Sequence, residues 1–182
     1  MRMKMLMRLS MAFMLVGMNV TVSAATETAQ VLASLQGYEW QLDREKLAGL
    51  PANSWRKMLD IAQDTDQLGY IRARAAASLT AFPNDDVWWF FVQSTQDSNA
   101  VVSRRRGVDG LCAAFHERRA SALEAVLVPL LSETDTHLRV QTAACLQRLN
   151  TETSREVLAT YRAGITQDWE ARAVSIDRRQ AN

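Results

Sequence analysis

The chain has 182 residues, with 21 Lys and Arg against 20 Asp and Glu, a formal net charge of +1. So even a balance argues against general nucleic-acid binding, which needs a concentrated basic surface. The length suffices for one domain with a continuous core.

Arg2, Lys4 and Arg8 form a basic start, Met11 to Met18 is an uncharged apolar run continuing through Val20 and Val22, and Val22-Ser23-Ala24 offers small residues where a signal peptidase reads. Residues 1–24 are therefore expected to be a secretory signal peptide, with cleavage after Ala24 or Ala25. The apolar run is short for a membrane span of about 20 residues. No second long apolar run occurs in the chain. Loss of the three leading cations leaves 18 cations against 20 acids, a mature charge of −2. The predicted address is periplasmic or secreted.

Residues 25–50 read as an N-terminal cap. Ala25 to Leu35 is helix-compatible, Gly37 interrupts, and Tyr38-Glu39-Trp40-Gln41-Leu42 alternates in the manner of a short extended stretch. Asp43 can cap a short helix ended by Gly49 and Pro51. Tyr38 and Trp40 are expected to cover the open end of the first helical pair. Residues 51–182 read as paired helices. Ser54 opens a helix to about Gln63, with Trp55, Met58, Leu59 and Ala62 at helical spacing. Its partner runs from about Gln67 to Phe82, and Pro83-Asn84 separates it from a helix carrying Val87-Trp88-Trp89-Phe90-Phe91-Val92. Helices are then expected over Ala100–Phe115, over Ser121–Leu131 with a kink at Pro129, and from Thr134 or Asp135 to Leu149. Thr151 or Thr153 caps the next, Gly164 ends it, and Asp168 to Arg178 serves as a C-terminal half-repeat.

The pairs share a pattern. Ile71-Arg72-x-x-Ala75-Ala76-x-x-Leu79 recurs as Leu138-Arg139-x-x-Thr142-Ala143-x-x-Leu146, and Ser103-Arg104-x-x-Gly107-Val108-x-x-Leu111 is a looser copy, at spacings of 32 and 35 residues. A period of that size marks stacked helical hairpins. Helical periodicity puts Ile71, Ala75, Leu79 and Phe82 on one face, and Leu138, Thr142, Leu146 and Leu149 on another. Small residues at Ala75, Gly107 and Thr142 let each pair approach closely. With an acid shortly before each copy (Asp66, Asp97, and Glu133 or Asp135), the pattern resembles HEAT-like repeats over about residues 51–165. The resemblance implies an all-α, right-handed α-solenoid of about three to four hairpins. It also implies that Arg72, Arg104 and Arg139 bond to acids or carbonyls in the inter-helix turns.

Few residues invite a chemical reading. Ser54-x-x-Lys57 matches the nucleophile motif of penicillin-binding enzymes, but the companion Ser-Asp-Asn and Lys-Thr-Gly motifs are absent and Ser54 suits a helix start. His116 and His137 lack the partners and spacing of a structural zinc site and sit at helix ends, where they can meet terminal carbonyls. The cysteines are expected to be free thiols: the register sets Cys145 with Ser78 and Gly110 beside the core face, and Cys112 with Thr80 and Gln147 on the outward face.

The expected function is that of a non-enzymatic scaffold or adaptor that binds a protein or peptide and carries no cofactor. The alternatives are a lyase-like accessory protein holding a small molecule in the concave groove, and an inhibitor or immunity-type protein. Candidate contact residues are Arg74, Arg105, Arg106 and Gln141 on the second helices, with Asp109 and Gln147 nearby, and Trp89, which points away from the core on its own helix. Three arginines side by side suit an acidic partner. For export, N-terminal sequencing of protein released from the cell envelope is expected to start at Ala25 or Thr26; a cytoplasmic product retaining Met1 would refute it.

Overall fold

The computed structural model describes residues 19–97 and 100–175, with side chains described from Thr26 onward. Every regular element among them is helical. In chain order these are α1 (Asn19–Leu35), α2 (Arg44–Ala48), α3 (Ser54–Gln63), α4 (Gly69–Leu79), α5 (Asp85–Gln96), α6 (Val101–Phe115), α7 (Ala120–Leu127), α8 (Thr136–Leu149), α9 (Glu152–Ala163) and α10 (Asp168–Ser175). A 3-10 turn over Val128–Ser132 continues α7.

Local chemistry sets most of the boundaries. Asp43, Asn84, Asp135 and Thr151 are N-caps whose side chains accept a backbone N–H from Lys46, Val87, His137 and Ser154. Each such cap satisfies a donor the helix leaves orphaned, worth about 1 kcal/mol. Asp85 and Asp86 add negative charge to the first turn of α5, where the helix dipole is positive. Asn150 ends α8 in the left-handed region, at φ 51°. Pro129 acts as the sequence predicts: α7 gives way to a 3-10 turn there, because the ring removes a backbone donor and crowds the preceding turn.

Helices pair in chain order. α3 packs on α4, α5 on α6, and α7 with its 3-10 turn on α8. The second helices also touch in sequence, α4 to α6, α6 to α8 and α8 to α10, while α9 lies against α8. One core runs through these layers. It takes Met58 and Ala62 from α3, Ile71, Ala75 and Leu79 from α4, Val87, Trp88, Phe91 and Val92 from α5, Val108, Leu111 and Phe115 from α6, and Leu138, Ala143 and Leu146 from α8. Phe82 and Leu149, expected on the core faces, are only partly buried. Burial of each large side chain contributes on the order of 1.5–3 kcal/mol. Trp88 meets Phe115 edge to face at 5.2 Å.

The α5–α6 contact depends on two glycines. A Cβ at Gly107 would sit 2.8 Å from the Thr95 backbone nitrogen and 2.9 Å from the Phe91 carbonyl. One at Gly110 would fall inside the Phe91 ring. The looser copy carries glycine at these positions because Gly107 lies against the α5 backbone and Gly110 against the Phe91 ring.

The N-terminal cap differs in part from expectation. α1 reaches Leu35 and buries Val31 and Leu35 against α3 and α4. Trp40 is half-buried and its indole N–H donates to the Ser34 carbonyl at 2.9 Å. Tyr38, however, covers nothing and is fully exposed. The segment around it is turn rather than extended strand, as Gly37 at φ 117° reverses the chain immediately before it.

The expectation of free thiols is overturned. Cys112 of α6 and Cys145 of α8 form a disulfide, with Cα atoms 5.7 Å apart. The register comparison placed each cysteine relative to the core of its own hairpin, whereas the bond joins neighbouring hairpins. Arg105, Asp109 and Cys112 stand at i, i+4 and i+7 on one flank of α6, and each meets α8 or its cap: Arg105 pairs with Asp135, Asp109 accepts from Gln141, and Cys112 bonds Cys145. The flank of one helix faces the opposite flank of the next, so residues at different repeat positions meet. Closing a loop across this 33-residue separation removes on the order of 3–4 kcal/mol of unfolded-chain entropy. Thiol titration of the unfolded, unreduced protein is expected to find no free thiol, and Cys145→Ala to lower stability by about 2–4 kcal/mol; two titratable thiols, or an unchanged denaturation midpoint in the variant, would count against the bond.

Candidate interaction face

The repeated arginines are structural. Arg104 Nε donates to the Thr95 carbonyl at 2.9 Å, Arg72 Nε to the Ala62 carbonyl at 3.4 Å, and Arg139 Nη1 to the Glu133 carbonyl at 2.7 Å. Each closes the turn between the two helices of its own pair by satisfying a carbonyl at the end of the first. The carboxylate partners of Arg104 and Arg139 lie one hairpin further on. Arg104 pairs with Glu133 at 2.5 Å, and Arg139 makes a two-pronged pair with Glu170 at 2.9 and 2.8 Å. The resemblance implied an arginine bonded within its turn, and so it is; the acid comes from the neighbour.

The Arg139–Glu170 pair is the most buried of these. Glu170 is 2% exposed, and the Tyr161 hydroxyl donates to its Oε1. The hydrogen bond from Arg139 holds the Glu170 carboxyl below the ordinary carboxylate range. Burial, and then the Glu170 hydrogen bond, push the Tyr161 hydroxyl up to about 12. This cluster docks α10, and so fixes Trp169 beside His137, with ring centroids 5.1 Å apart.

The five candidate contact residues do not gather into one basic patch. Arg105 faces α8 and is engaged by Asp135 through two hydrogen bonds of 2.8 and 2.6 Å, which hold the Asp135 carboxyl low. Arg74 turns toward the cap: it donates to the Leu35 carbonyl at 2.9 Å and lies over Trp40 and Tyr70. Gln141 donates to Asp109 at 3.1 Å. Arg106 is exposed. Trp89 is 59% exposed on α5, while Val87, Trp88 and Phe91 are buried, as helical spacing predicts.

A different set shares one repeat position. Two residues before each repeat arginine stand Tyr70, Val102 and His137. Tyr70 and Val102 are 54% and 56% exposed, and His137 is exposed with Trp169 against it. Leu68 and Val101 extend the apolar surface at the starts of α4 and α6. Because α4, α6, α8 and α10 are neighbours in that order and packed helices lie about 8–10 Å apart, the row crosses four helices over roughly 25–30 Å. One turn further along stand Arg74, Arg106 and Gln141. Reasoning from sequence selects this second row and misses the first, although the same repeat alignment contains both.

Other tempting residues have structural partners. Ser54 is buried and donates to Glu27, and Lys57 pairs with Asp60 at 3.6 Å. The ring of His116 meets the Cys112 carbonyl at the end of α6, whereas His137 sits at a helix start and meets Trp169 instead. Among the described residues no three His, Cys, Asp or Glu side chains gather as a metal site, and no helix is long and apolar enough to cross a membrane. No protein-family model, no curated protein and no solved structure matches the chain.

Linkage at the buried pair gives an acid-stability prediction. Glu170, Asp135 and Glu133 all have folded-state carboxyls held below their ordinary range. Such groups stabilise the fold above the unfolded carboxyl pKa, about 4, and that contribution is lost as pH falls through the depressed folded value. The midpoint of urea unfolding is therefore expected to fall steadily below about pH 4.5. Glu170→Gln is expected to cost about 3 kcal/mol at neutral pH, since it leaves Arg139 buried without its counter-charge. The variant's acid decline should also be shallower; an unchanged acid slope would assign that decline to other carboxylates.

Proposed function

We infer that this protein is an exported, non-enzymatic scaffold or adaptor. In this reading it is a right-handed α-solenoid of HEAT-like hairpins behind a cleaved signal peptide, and it recognises a protein or peptide partner through the exposed face of its second helices. The observation that carries the reading is the exposure of Tyr70, Val102 and His137 at one repeat position on neighbouring helices, with Trp169 against His137. Single exposed apolar residues are ordinary, but their recurrence at equivalent positions favours an interaction surface. Tyrosine and tryptophan are also the residues most enriched where binding energy concentrates.

The chemistry of the strip suggests the partner. Arg106 stands one turn beyond Val102 on the same helix and is exposed, so apolar contact and guanidinium charge lie side by side. A segment carrying apolar side chains with an acid between them fits that arrangement, with Arg106 as a bidentate donor. Periplasmic or secreted residence is supported by the N-terminal pattern and by the Cys112–Cys145 bond, since disulfides persist in oxidising compartments.

A photoreactive amino acid placed at Tyr70, at Val102, at Trp89 or at the exposed Thr160 of α9 tests the reading in intact cell envelopes. Tyr70 and Val102 are expected to trap one and the same partner, Thr160 none, and Arg106→Glu to reduce the adduct while leaving the helical circular-dichroism signal intact. Adducts from Trp89 alone would move the interface to the first-helix face and sink the assignment.

A further inference from the structure

A second site lies under the N-terminal cap. A cavity of about 470 Å³ lies between the end of α1, the segment leading into α2, α2 itself and the far end of α4, a volume within the usual range for small-ligand sites. Its floor contains Ser78. That residue is 1% exposed, and its Oγ meets no hydrogen-bond partner among the described residues. Buried hydroxyls are nearly always paired, so one left unpaired beside a cavity calls for an explanation. Thr142 Oγ1 and Gln141 Oε1 are also unpaired, but neither residue lines this cavity. Ser78 lies one helical turn after Arg74, whose guanidinium reaches the Leu35 carbonyl and Trp40 of the same cap. Ser78 and Arg74 therefore lie on the flank of α4 nearest the cap.

The lining selects a ligand class by its chemistry. Glu39 and Asp43 place two carboxylates on the wall, against the single ammonium of Lys46, which disfavours an anion. The amides of Gln36 and Gln41 and the hydroxyls of Ser34 and Ser78 leave too many polar groups for an apolar guest. Leu42, Leu47 and the Trp40 ring supply a limited apolar surface. Donors and acceptors mixed in this way, beside one aromatic ring, match a molecule whose own groups both donate and accept. The geometry points to a binding site for a neutral polyhydroxylated ligand, a mono- or disaccharide, with the Ser78 hydroxyl as its deepest contact. This role is separate from the second-helix face, and no reaction is assigned to it.

Glucose, N-acetylglucosamine and maltose serve as probes, with butyrate as an anionic and apolar control. The readout is the indole N–H cross-peak of Trp40 in the nitrogen-labelled full-length mature protein, assigned through Trp40→Phe. At least one sugar is expected to move the peak saturably, and at tenfold excess over its Kd to raise Tm by about 3–6 °C. Ser78→Ala removes a hydroxyl that lacks a protein partner, so the fold is retained while affinity falls about fivefold or more. Gln41→Leu, at the exposed rim, is expected to weaken the same sugar without affecting the folded state. No saturable shift with any sugar, a shift with butyrate alone, or equal affinity in both variants would overturn the assignment.

Discussion

An arginine ties each of the three repeated helix pairs at its turn, and in two of them the same side chain also ties the pair to its neighbour. A helix leaves its last carbonyls without intrahelical partners. Arg72, Arg104 and Arg139 reach back to such carbonyls, at Ala62, at Thr95 and, past the 3-10 turn, at Glu133. The planar guanidinium has donors to spare, and for Arg104 and Arg139 the remainder extend to a carboxylate of the next hairpin. A lysine offers no such fork, which explains why arginine stands at positions 104 and 139. The angle within a pair and the placement of the next pair are thereby coupled through a single residue.

Between α6 and α8 the coupling becomes a seam. It runs from the Arg105–Asp135 ion pair, through the Asp109–Gln141 hydrogen bond, to the Cys112–Cys145 disulfide. The ion pair is partly exposed, so it sets direction more than it contributes stability. The disulfide constrains the unfolded chain instead. Where the seam lacks bonding groups, shape replaces them: Gly107 and Gly110 admit Phe91 at the α5–α6 contact, one helix layer away. Close packing and covalent linkage therefore meet on the same helix, α6, which contacts α4, α5, α7 and α8.

How much of this was legible depends on the range of each signal. The helices, their caps and the break at Pro129 depend on residues a few positions apart, and they read clearly. Burial of Trp88 and exposure of Trp89 followed from helical spacing alone. Contacts between hairpins read poorly. Cys112 and Cys145 looked opposed because the register describes a residue relative to its own partner helix, and the flank facing the next hairpin carries no mark in a single sequence. Arg105, a candidate contact by its register, is engaged by Asp135 of the next hairpin for the same reason. Tyr38, expected to cover the open end of the first pair, is swung outward by its position just after Gly37.

The exposed row comes from the same geometry. In each repeat the arginine points at the turn, and the residues on either side along the core stripe are buried. Position minus two is then left facing outward, one turn from the residue two positions after the anchor, which is Arg74 on α4 and Arg106 on α6. Ordinary surface chemistry would fill it with charge. Tyr70 and Val102 fill it with apolar surface instead, and on α8 and α10 His137 and Trp169 stack to the same effect. Nothing in the tying of the stack requires apolar groups there, since the guanidinium bonds and the core are complete without them. Those side chains are only partly buried in the folded monomer; Tyr70 packs under the Arg74 guanidinium and Trp169 against His137, so what each contributes to the fold is local to its own helix end rather than part of the ties between hairpins.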